Sequence, residues 1–380
     1  MRHSASSCEG EMADGSTFTP SRAMRPKPIE PALEPLRGAP PNNGRPWRYL
    51  LAMGSCLVAV ALWGTVYPVY GSAMSTVDPL TIGVIRNLII AAIATAGLLV
   101  LEGPRAFRIS SREFALAVCT GIVGVVGFGI LTFVGEHLAG SGANAAKLTA
   151  VYAMALMVLW ELAVLIQAAS PPGLLEFTLV IGAYAGLALM ILGGGVSGLF
   201  SLQSLIAGAL VLAGTTCWMA YTVLFRRFPT WSVLKFSAIT FLLGTVAFAL
   251  IDALAIGTHV LPAPRIGAIL AGSTADLYLG VVAGAVPLLL WNRSARVITP
   301  VNALMFMSVG TATTVILANH MSGDRENGPA MIAGGIAMIF AIGLYSAIQY
   351  RASLRQPARA RDACVDDART GERRRASGPA

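Results

Sequence analysis

The chain alternates between long apolar runs and short polar breaks. About 20 consecutive apolar residues form a helix long enough to cross a hydrocarbon core roughly 30 Å thick. Ten runs approach or exceed that length, at residues 50–73, 80–101, 114–133, 143–166, 174–192, 202–225, 233–256, 274–291, 301–320 and 329–350. Each run predicts one transmembrane helix.

Within these runs the pattern favours helices over strands. A membrane barrel needs segments of about ten residues in which apolar and polar positions alternate, and the runs show no such alternation. Since lipid offers no hydrogen-bond partner, an apolar run must satisfy its backbone internally, as a helix does. The sequence therefore predicts an all-α, polytopic membrane protein of about ten transmembrane helices.

The composition agrees with a membrane protein. Of the 380 residues, 55% are apolar and only 12% are charged, whereas a soluble domain has about 25% charged residues. The remaining charge is concentrated outside the apolar runs, so it informs topology rather than a soluble surface.

Both ends of the chain differ from the middle. Residues 1–48 are rich in proline and basic residues, as in M24-R-P-K-P, and residues 351–380 carry R373-R-R. Such segments bury too little apolar surface to offset the entropy of ordering. Both are predicted to be disordered tails. The first apolar run is too long, and its flank too proline-rich, for a cleaved signal peptide, so it is expected to stay as the first helix.

The lysines and arginines predict the orientation. The two tails hold seven and eight of them, and alternate loops between the runs hold most of the others. These loop residues are Arg105, Arg108, Arg112, Arg226, Arg227, Lys235, Arg293 and Arg296. The intervening connections contain only Arg265 and Arg325. This alternation follows the positive-inside rule with both termini in the cytoplasm, so the net charge of +8 predicts topology and no nucleic-acid partner.

No enzymatic or metal-binding motif occurs. The five cysteines are scattered, and His259 and His320 lack a partner at metal-ligand spacing. Zincin, nucleophile-elbow and Walker A motifs are absent, as is a channel filter sequence. We therefore expect no catalytic residue, metal or cofactor, and favour a secondary carrier of a small-molecule solute. A channel-like or uptake permease stays open, and an intramembrane enzyme is a more distant alternative.

The landmarks of the first five runs recur in the last five. W63-G-T-V-Y in run 1 matches W218-M-A-Y-T-V in run 6, and A185-G-L-A-L-M-I-L-G in run 5 matches G334-G-I-A-M-I-F-A-I-G in run 10. The repeats are predicted at residues 49–193 and 202–350. Because five is odd, the second repeat must be inverted relative to the first, a carrier design with its solute site near the midplane between the halves.

Residues 50–350 resemble the EamA type of the drug/metabolite transporter superfamily. The matching features are W63-G, the arginine in L80-T-I-G-V-I-R-N, the run from Gly208 to Arg227, L289-L-W-N-R and Pro300. Glu326 also matches a glutamate before the last helix, whereas Glu176 is displaced and takes no role from the family. The resemblance implies two five-helix repeats and an exporter of amino acids or other metabolites across the inner membrane.

An aromatic face in run 1 is the first candidate site. Trp63, Tyr67 and Tyr70 stand at i, i+4 and i+7 on one helix face. Pro68 lacks a backbone donor and should kink the helix near Gly64, freeing a carbonyl toward a cavity. We expect Trp63 and Tyr67 to form one wall of the site. For Tyr67 and Tyr70, a place in the interfacial aromatic belt is the alternative.

The equivalent wall in the second half would contain Trp218 and Tyr221. These residues follow from the repeat and not from an independent pattern. We therefore expect the two walls to face each other.

Charged and amide side chains inside the runs are further candidates, because each charge at a helix centre costs roughly 2.5–3.5 kcal/mol on insertion scales. Arg86 would contact a solute carboxylate or clamp a neighbouring helix. Lys147 would contact solute or snorkel to the outer interface. The amides Asn144 and Asn302 occupy repeated positions at the start of runs 4 and 9, and Tyr152 lies deeper in run 4 as a solute contact or a packed ring.

Two acidic positions allow different interpretations. Glu161, if buried, would suit proton coupling, and if it reaches cytoplasmic water it is only a helix-end charge. Glu136 and its neighbour His137 are expected to be surface groups, and a proton relay is the alternative.

Small residues in G121-I-V-G-V-V-G and G182-A-Y-A-G predict close helix packing. The same faces would also suit a homodimer, which the sequence does not separate from packing within one chain.

The orientation can be tested with reporter fusions. A fluorescent protein fused after Ala380 should fold and fluoresce, because we place that end in the cytoplasm. Alkaline phosphatase inserted after Gly140 should be active, since this loop then lies outside. The reverse pattern would contradict the charge-based topology.

Overall fold

The structure is a computed structural model. It describes residues 46–73, 77–140, 142–166, 173–193, 198, 200–298, 300–322 and 328–351. Helices make up nearly all of these residues, and no strand occurs among them. The tails, Cys8, Cys364 and Glu326 lie outside the described residues.

Ten membrane-length helices follow one another along the described chain, the first in two pieces. They are α1a (Pro46–Gly64), α1b (Val66–Ala73), α2 (Pro79–Leu101), α3 (Ser111–Leu138), α4 (Gly142–Ile166), α5 (Leu174–Gly193), α6 (Leu202–Leu224), α7 (Val233–Gly257), α8 (Ile266–Ser294), α9 (Pro300–Ser322) and α10 (Pro329–Arg351). The prediction of an all-α polytopic membrane protein is confirmed.

Within the described part of the chain, nine of these helices are both long enough and apolar enough to cross a membrane. The other, α4, has 25 residues, about 37 Å at 1.5 Å per residue, which suffices to span. Predicted boundaries are close except for two helices. The eighth begins at Ile266 rather than 274, and the third extends to Leu138 rather than 133. In the third helix, the polar residues Glu136 and His137 interrupt the apolar run without ending the helix.

The first helix breaks at Thr65, near the predicted kink. Pro68 has no amide hydrogen for the carbonyl of Gly64, and the Thr314 hydroxyl of α9 donates to that carbonyl instead, at 2.7 Å. Thr65 bonds back to the Leu62 carbonyl through its amide and its hydroxyl, at 3.1 and 2.7 Å. The freed carbonyl is therefore present as predicted, but it accepts a hydrogen bond from α9 and is not left free toward the cavity.

The α3 and α8 helices each contain a π-helical segment, Ile122–Gly127 and Tyr278–Ala285. A π-helical turn is wider than an α-helical one and often lies at a functional site. Glycines Gly124 and Gly284 of these segments reach the cavity described below.

Helix contacts have matching partners in the two halves. The α3 helix packs on α6 as α8 packs on α1, and α1 packs on α9 as α6 packs on α4. The α2–α7 and α4–α9 pairs map onto themselves. Exchanging each helix of the first half with the one five places later therefore preserves the pattern, as two related five-helix repeats require. We name the bundle end that holds Pro79 and Leu138 the outer end, following the predicted orientation.

Glycine pairs bring helices from different halves into backbone contact. A Cβ on Gly64 would lie 2.3 Å from the Gly310 carbonyl oxygen of α9, and one on Gly121 would lie 2.5 Å from the Thr240 oxygen of α7. Gly186 and Gly334 make the same kind of approach between α5 and α10. The predicted role of these glycines in close packing is confirmed within the chain.

Replacing Gly64 with alanine should destabilise the bundle. The new Cβ meets backbone atoms that have no rotamer to move away, and overpacking of this kind costs about 1–3 kcal/mol. Gly54→Ala is a matched control, because Gly54 lies in the same helix and a methyl group added there would meet nothing within 4 Å. Thermal unfolding in detergent should show a lower midpoint for Gly64→Ala only. Equal midpoints would contradict the close contact.

Candidate functional site

A cavity of about 100 Å³ lies inside the bundle between the two halves. Residues from α1, α2, α3, α4, α6, α7, α8 and α9 line it, and no described residue of α5 or α10 does. Its lining is mainly apolar, with a few polar groups. A cavity of about 150 Å³ can hold benzene, so in this conformation the space is limited to a molecule smaller than benzene.

Tryptophans from both halves meet at the cavity. Trp63 of α1 and Trp218 of α6 line it, with their ring centroids 5.3 Å apart in an edge-to-face arrangement. Trp291 of α8 lies 5.4 Å from Trp63, and Phe128 of α3 lies 5.4 Å from Trp218. Aromatic pairs in such geometries stabilise each other by about 0.5–1.5 kcal/mol. The aromatic wall is thus held in place before a ligand arrives.

Arg86 brings a positive charge to the cavity wall. Its side chain is buried, and one terminal nitrogen donates to the Asn87 side-chain oxygen at a long 3.4 Å. Its Nε has no hydrogen-bond partner among the described residues. The guanidinium lies 5.8 Å from the Phe133 ring centroid. A buried cation with such weak neutral contacts can bind a ligand anion.

Tyr67 lines the same cavity from the segment after the break in α1. The electrostatic environment of its hydroxyl includes Arg86 and Glu136. Trp63 and Tyr67 therefore lie on one wall, as the helical spacing predicted, although the helix breaks between them.

The predicted mate Tyr221 lies behind the wall instead of on it. Its ring stacks 5.1 Å from Trp218, and its hydroxyl is 3.4 Å from Thr240. The Asn292 amide nitrogen donates to that hydroxyl at 3.4 Å and to Ser237 at 2.9 Å. This neutral network supports Trp218 from the inner side.

The outer end of the cavity is closed by a cluster of apolar side chains, here named the outer cluster. It consists of Val66, Tyr70, Ile82, Phe133, Leu279 and Ala283. The Tyr70 and Phe133 rings stack with centroids 4.0 Å apart, and the Tyr70 hydroxyl donates to the Pro79 carbonyl. Tyr70 is fully buried, so its proposed place in an exposed aromatic belt is wrong.

Glu136 also departs from expectation. The sequence predicts a surface group, yet its side chain is 0% exposed, because the outer turns of α3 pack against α1, α2, α4 and α6. Its neighbour His137 is exposed as expected.

Three further candidates with described side chains, Asn144, Lys147 and Tyr152, are not among the residues that line the cavity. Lys147 is 4% exposed, so it does not snorkel to the surface. The Tyr152 ring packs on α6, where a Cβ on Gly208 would lie 2.6 Å from it, in agreement with the packed-ring alternative. Asn144 is partly exposed near the start of α4. The side chains of Glu161 and Asn302 lie outside the described residues, although their backbones belong to α4 and α9.

Several lining residues escaped the sequence interpretation. They are Asn87, Phe128, Phe133, Thr215, Phe241, Met307, Thr311 and Thr314. Asn87 adjoins Arg86 in I-R-N and could have been found as a second polar residue inside an apolar run. The threonines give no such signal, because in membrane helices most of them bond to their own helix backbone, as Thr215 does to the Val211 carbonyl at 2.8 Å.

A solved structure shares the fold. A crystal structure named only "Crystal structure of protein" superposes with a TM-score of 0.59 at 16% sequence identity. The match covers 79% of this chain and 98% of that chain. At this identity the likeness bears on the fold alone.

Sequence comparisons point to one family. Residues 205–346 match the EamA-like transporter family. The "Uncharacterized transporter YrdR" of Bacillus subtilis (strain 168) is 27% identical over 266 residues, which cover 69% of this chain and 81% of that protein. The family match and the transporter-named relative support an EamA-type permease of the drug/metabolite transporter superfamily.

Proposed function

We infer that the protein is a secondary carrier that exports small carboxylate-bearing metabolites, such as amino acids, by alternating access. The observation that carries this proposal is the cavity at the boundary between the halves, which combines a tryptophan wall with the weakly bonded cation of Arg86. Inward and outward opening would then result from movement of one half against the other.

The solute class follows from the lining. The Arg86 guanidinium would donate hydrogen bonds to a solute carboxylate. Charge-assisted hydrogen bonds of this type contribute about 1.5–3 kcal/mol. The faces of Trp63 and Trp218 would pack against an apolar side chain of the solute. They could also bind an ammonium group by cation–π attraction. The cavity volume of about 100 Å³ in this conformation favours the smaller amino acids over larger metabolites.

The proposed setting is the inner membrane with both chain termini in the cytoplasm. This orientation rests on the lysine and arginine distribution. Transport would involve no covalent chemistry, since a cavity of aromatic, threonine and asparagine side chains with one arginine offers no nucleophile–base pair among the described lining residues.

Truncation of Trp63 should impair export. In cells that overproduce the protein, we expect one class of amphipathic carboxylate to accumulate in the medium, and Trp63→Ala should lower its export about tenfold or more. Trp47→Ala is the matched control, because Trp47 is 52% exposed at the start of α1a. Metabolite profiles at equal membrane abundance make the comparison. If the solute instead accumulates inside wild-type cells, the protein is an uptake carrier.

Loss of the Arg86 charge should affect solutes selectively. Arg86→Gln should weaken binding of the carboxylate by about tenfold or more, because a charge-assisted hydrogen bond is lost. The corresponding uncharged amide of the same solute should bind the two proteins with similar affinity. Isothermal titration of purified protein measures both. Equal losses for acid and amide would assign Arg86 a structural role.

A further inference from the structure

Glu136 is a buried acid that the proposed solute site does not use. It lies three residues after Phe133, in the last turn of α3, and none of its surface reaches solvent. Both carboxyl oxygens lack a hydrogen-bond partner among the described residues. Burying an ionised carboxylate without hydrogen-bond partners is strongly unfavourable. A buried acid without partners therefore suggests a functional role.

The neutral acid is the form that fits this environment. Placing an ionised carboxylate inside the membrane costs roughly 2.5–3.5 kcal/mol even on insertion scales, and groups so placed usually neutralise. In the outer-closed conformation seen here, Glu136 therefore carries its proton. Opening of the outer end would admit water and allow the charged form.

The second half of the chain shows that the fold does not need an acid at this position. Glu136 follows the start of the α3 π-helical segment, Ile122, by 14 residues, and Asn292 follows the start of the α8 segment, Tyr278, by the same 14 residues. Asn292 is equally buried, and its amide nitrogen donates to Ser237 and Tyr221. A neutral amide thus serves the structural role in one half.

The titratable and charged groups around Glu136 come from several helices. On the described elements that pack against the outer part of α3, they are Tyr67 and Tyr70 of α1, Asp78 at the N-cap of α2, Arg86 of α2, Lys147 and Tyr152 of α4, and Asp252 of α7. Asp276 of α8 lies within electrostatic range of Tyr70. The outer half of α6, from Leu202 to Thr215, has no charged residue. The two tyrosines lie within electrostatic range of both Glu136 and Arg86.

The geometry connects this acid to the outer closure and to the cavity. Phe133, one turn before Glu136, stacks on Tyr70 within the outer cluster. Phe133 and Val66 of this cluster also line the cavity. Separation of the Tyr70–Phe133 pair would therefore expose Glu136 to outside water, and the same side chains lie between it and the cavity.

We propose that Glu136 is a proton-binding site of the transport cycle and that the carrier without solute closes its outer end only when this carboxyl is protonated. This proposal rests on the carrier function inferred above and names its coupling ion. It makes the carrier a proton–solute antiporter.

The proton balance is simple. After solute has left outward, an external proton binds a Glu136 carboxylate oxygen, forming the O–H bond that permits closure. When the inner side opens, cavity water reaches Glu136, that O–H bond breaks, and the proton passes to this water and on to the cytoplasm. The carboxylate then stays hydrated from the cavity until bound solute allows the outer end to open again. Arg86 provides the nearby positive charge while Glu136 is ionised. One proton enters for each solute exported, and no oxidant or reductant takes part.

A labelling experiment tests the proton-linked closure without any solute. A reporter Ile82→Cys is placed in the outer cluster of a chain whose five native cysteines are replaced by alanine, and a membrane-impermeant thiol reagent is added outside. If opening releases one proton, each pH unit can change the open-to-closed ratio by up to about tenfold. Labelling should rise about tenfold or more from about pH 5.5 to 8.5. With Glu136→Gln it should be slow and independent of pH.

Three control variants make the result specific. Gly257→Cys, exposed at the end of α7 with open space around it, corrects for the higher reactivity of thiolate at high pH. His137→Gln removes the exposed neighbour that titrates in the same range. Asp252→Asn removes the buried acid of α7, the helix whose Phe248 packs against Gly129 of α3. The proposal is overturned if labelling of Glu136→Gln still responds to pH while labelling of Asp252→Asn or His137→Gln does not.

Reconstituted vesicles separate this proposal from the carrier function itself. Wild-type protein should move the exported solute faster when a pH gradient drives protons the opposite way. Glu136→Gln should keep slower solute exchange at equal pH and lose the acceleration by the gradient. A wild type that transports without any response to the gradient overturns antiport alone. A wild type that moves no solute overturns the carrier function, while the labelling result still decides the proton site.

Discussion

The hydrogen bond from the Thr314 hydroxyl to the Gly64 carbonyl allows the first helix to break inside the membrane. A carbonyl that loses its helical donor at a proline finds no water in the lipid core. Its hydrogen-bond donor must therefore come from the protein. That partner lies on α9, in the other half of the chain, and the Gly64–Gly310 backbone contact holds it at the right distance. The break therefore exists only because the two halves pack at this point.

The cavity is organised around this break. Trp63 precedes it and Tyr67 follows it, so the two side chains take different directions from one helix and still line one space. Trp218 approaches from the other half and meets Trp63 edge to face. Since both tryptophans also pack against further rings, the wall stays rigid while polar groups are left to select the ligand.

The two halves share a packing pattern but differ in chemistry. Near the outer end, the first half supplies Arg86 and Glu136, both buried and with few or no hydrogen bonds among the described residues. Near the inner end, the second half supplies neutral groups, Asn292, Ser237 and Tyr221, that bond to each other. Under the proposed antiport, only the outer closure would depend on a proton, and the direction of net transport would follow the proton gradient.

The sequence by itself determined the membrane class, the number of helices and the kink of the first helix, since these depend on local properties: run length, charge and a missing amide donor. It also placed Trp63, Tyr67 and Arg86 correctly as residues of the interior. Only the tertiary structure decided which of them face one cavity. Tyr221 shares its repeat pattern with Trp218 yet lies behind it, and Glu136 looks like a helix-end charge yet is sealed by four neighbouring helices. The burial of a side chain and its hydrogen-bond partners depend on residues far apart in the chain. A pattern along one helix therefore cannot predict them.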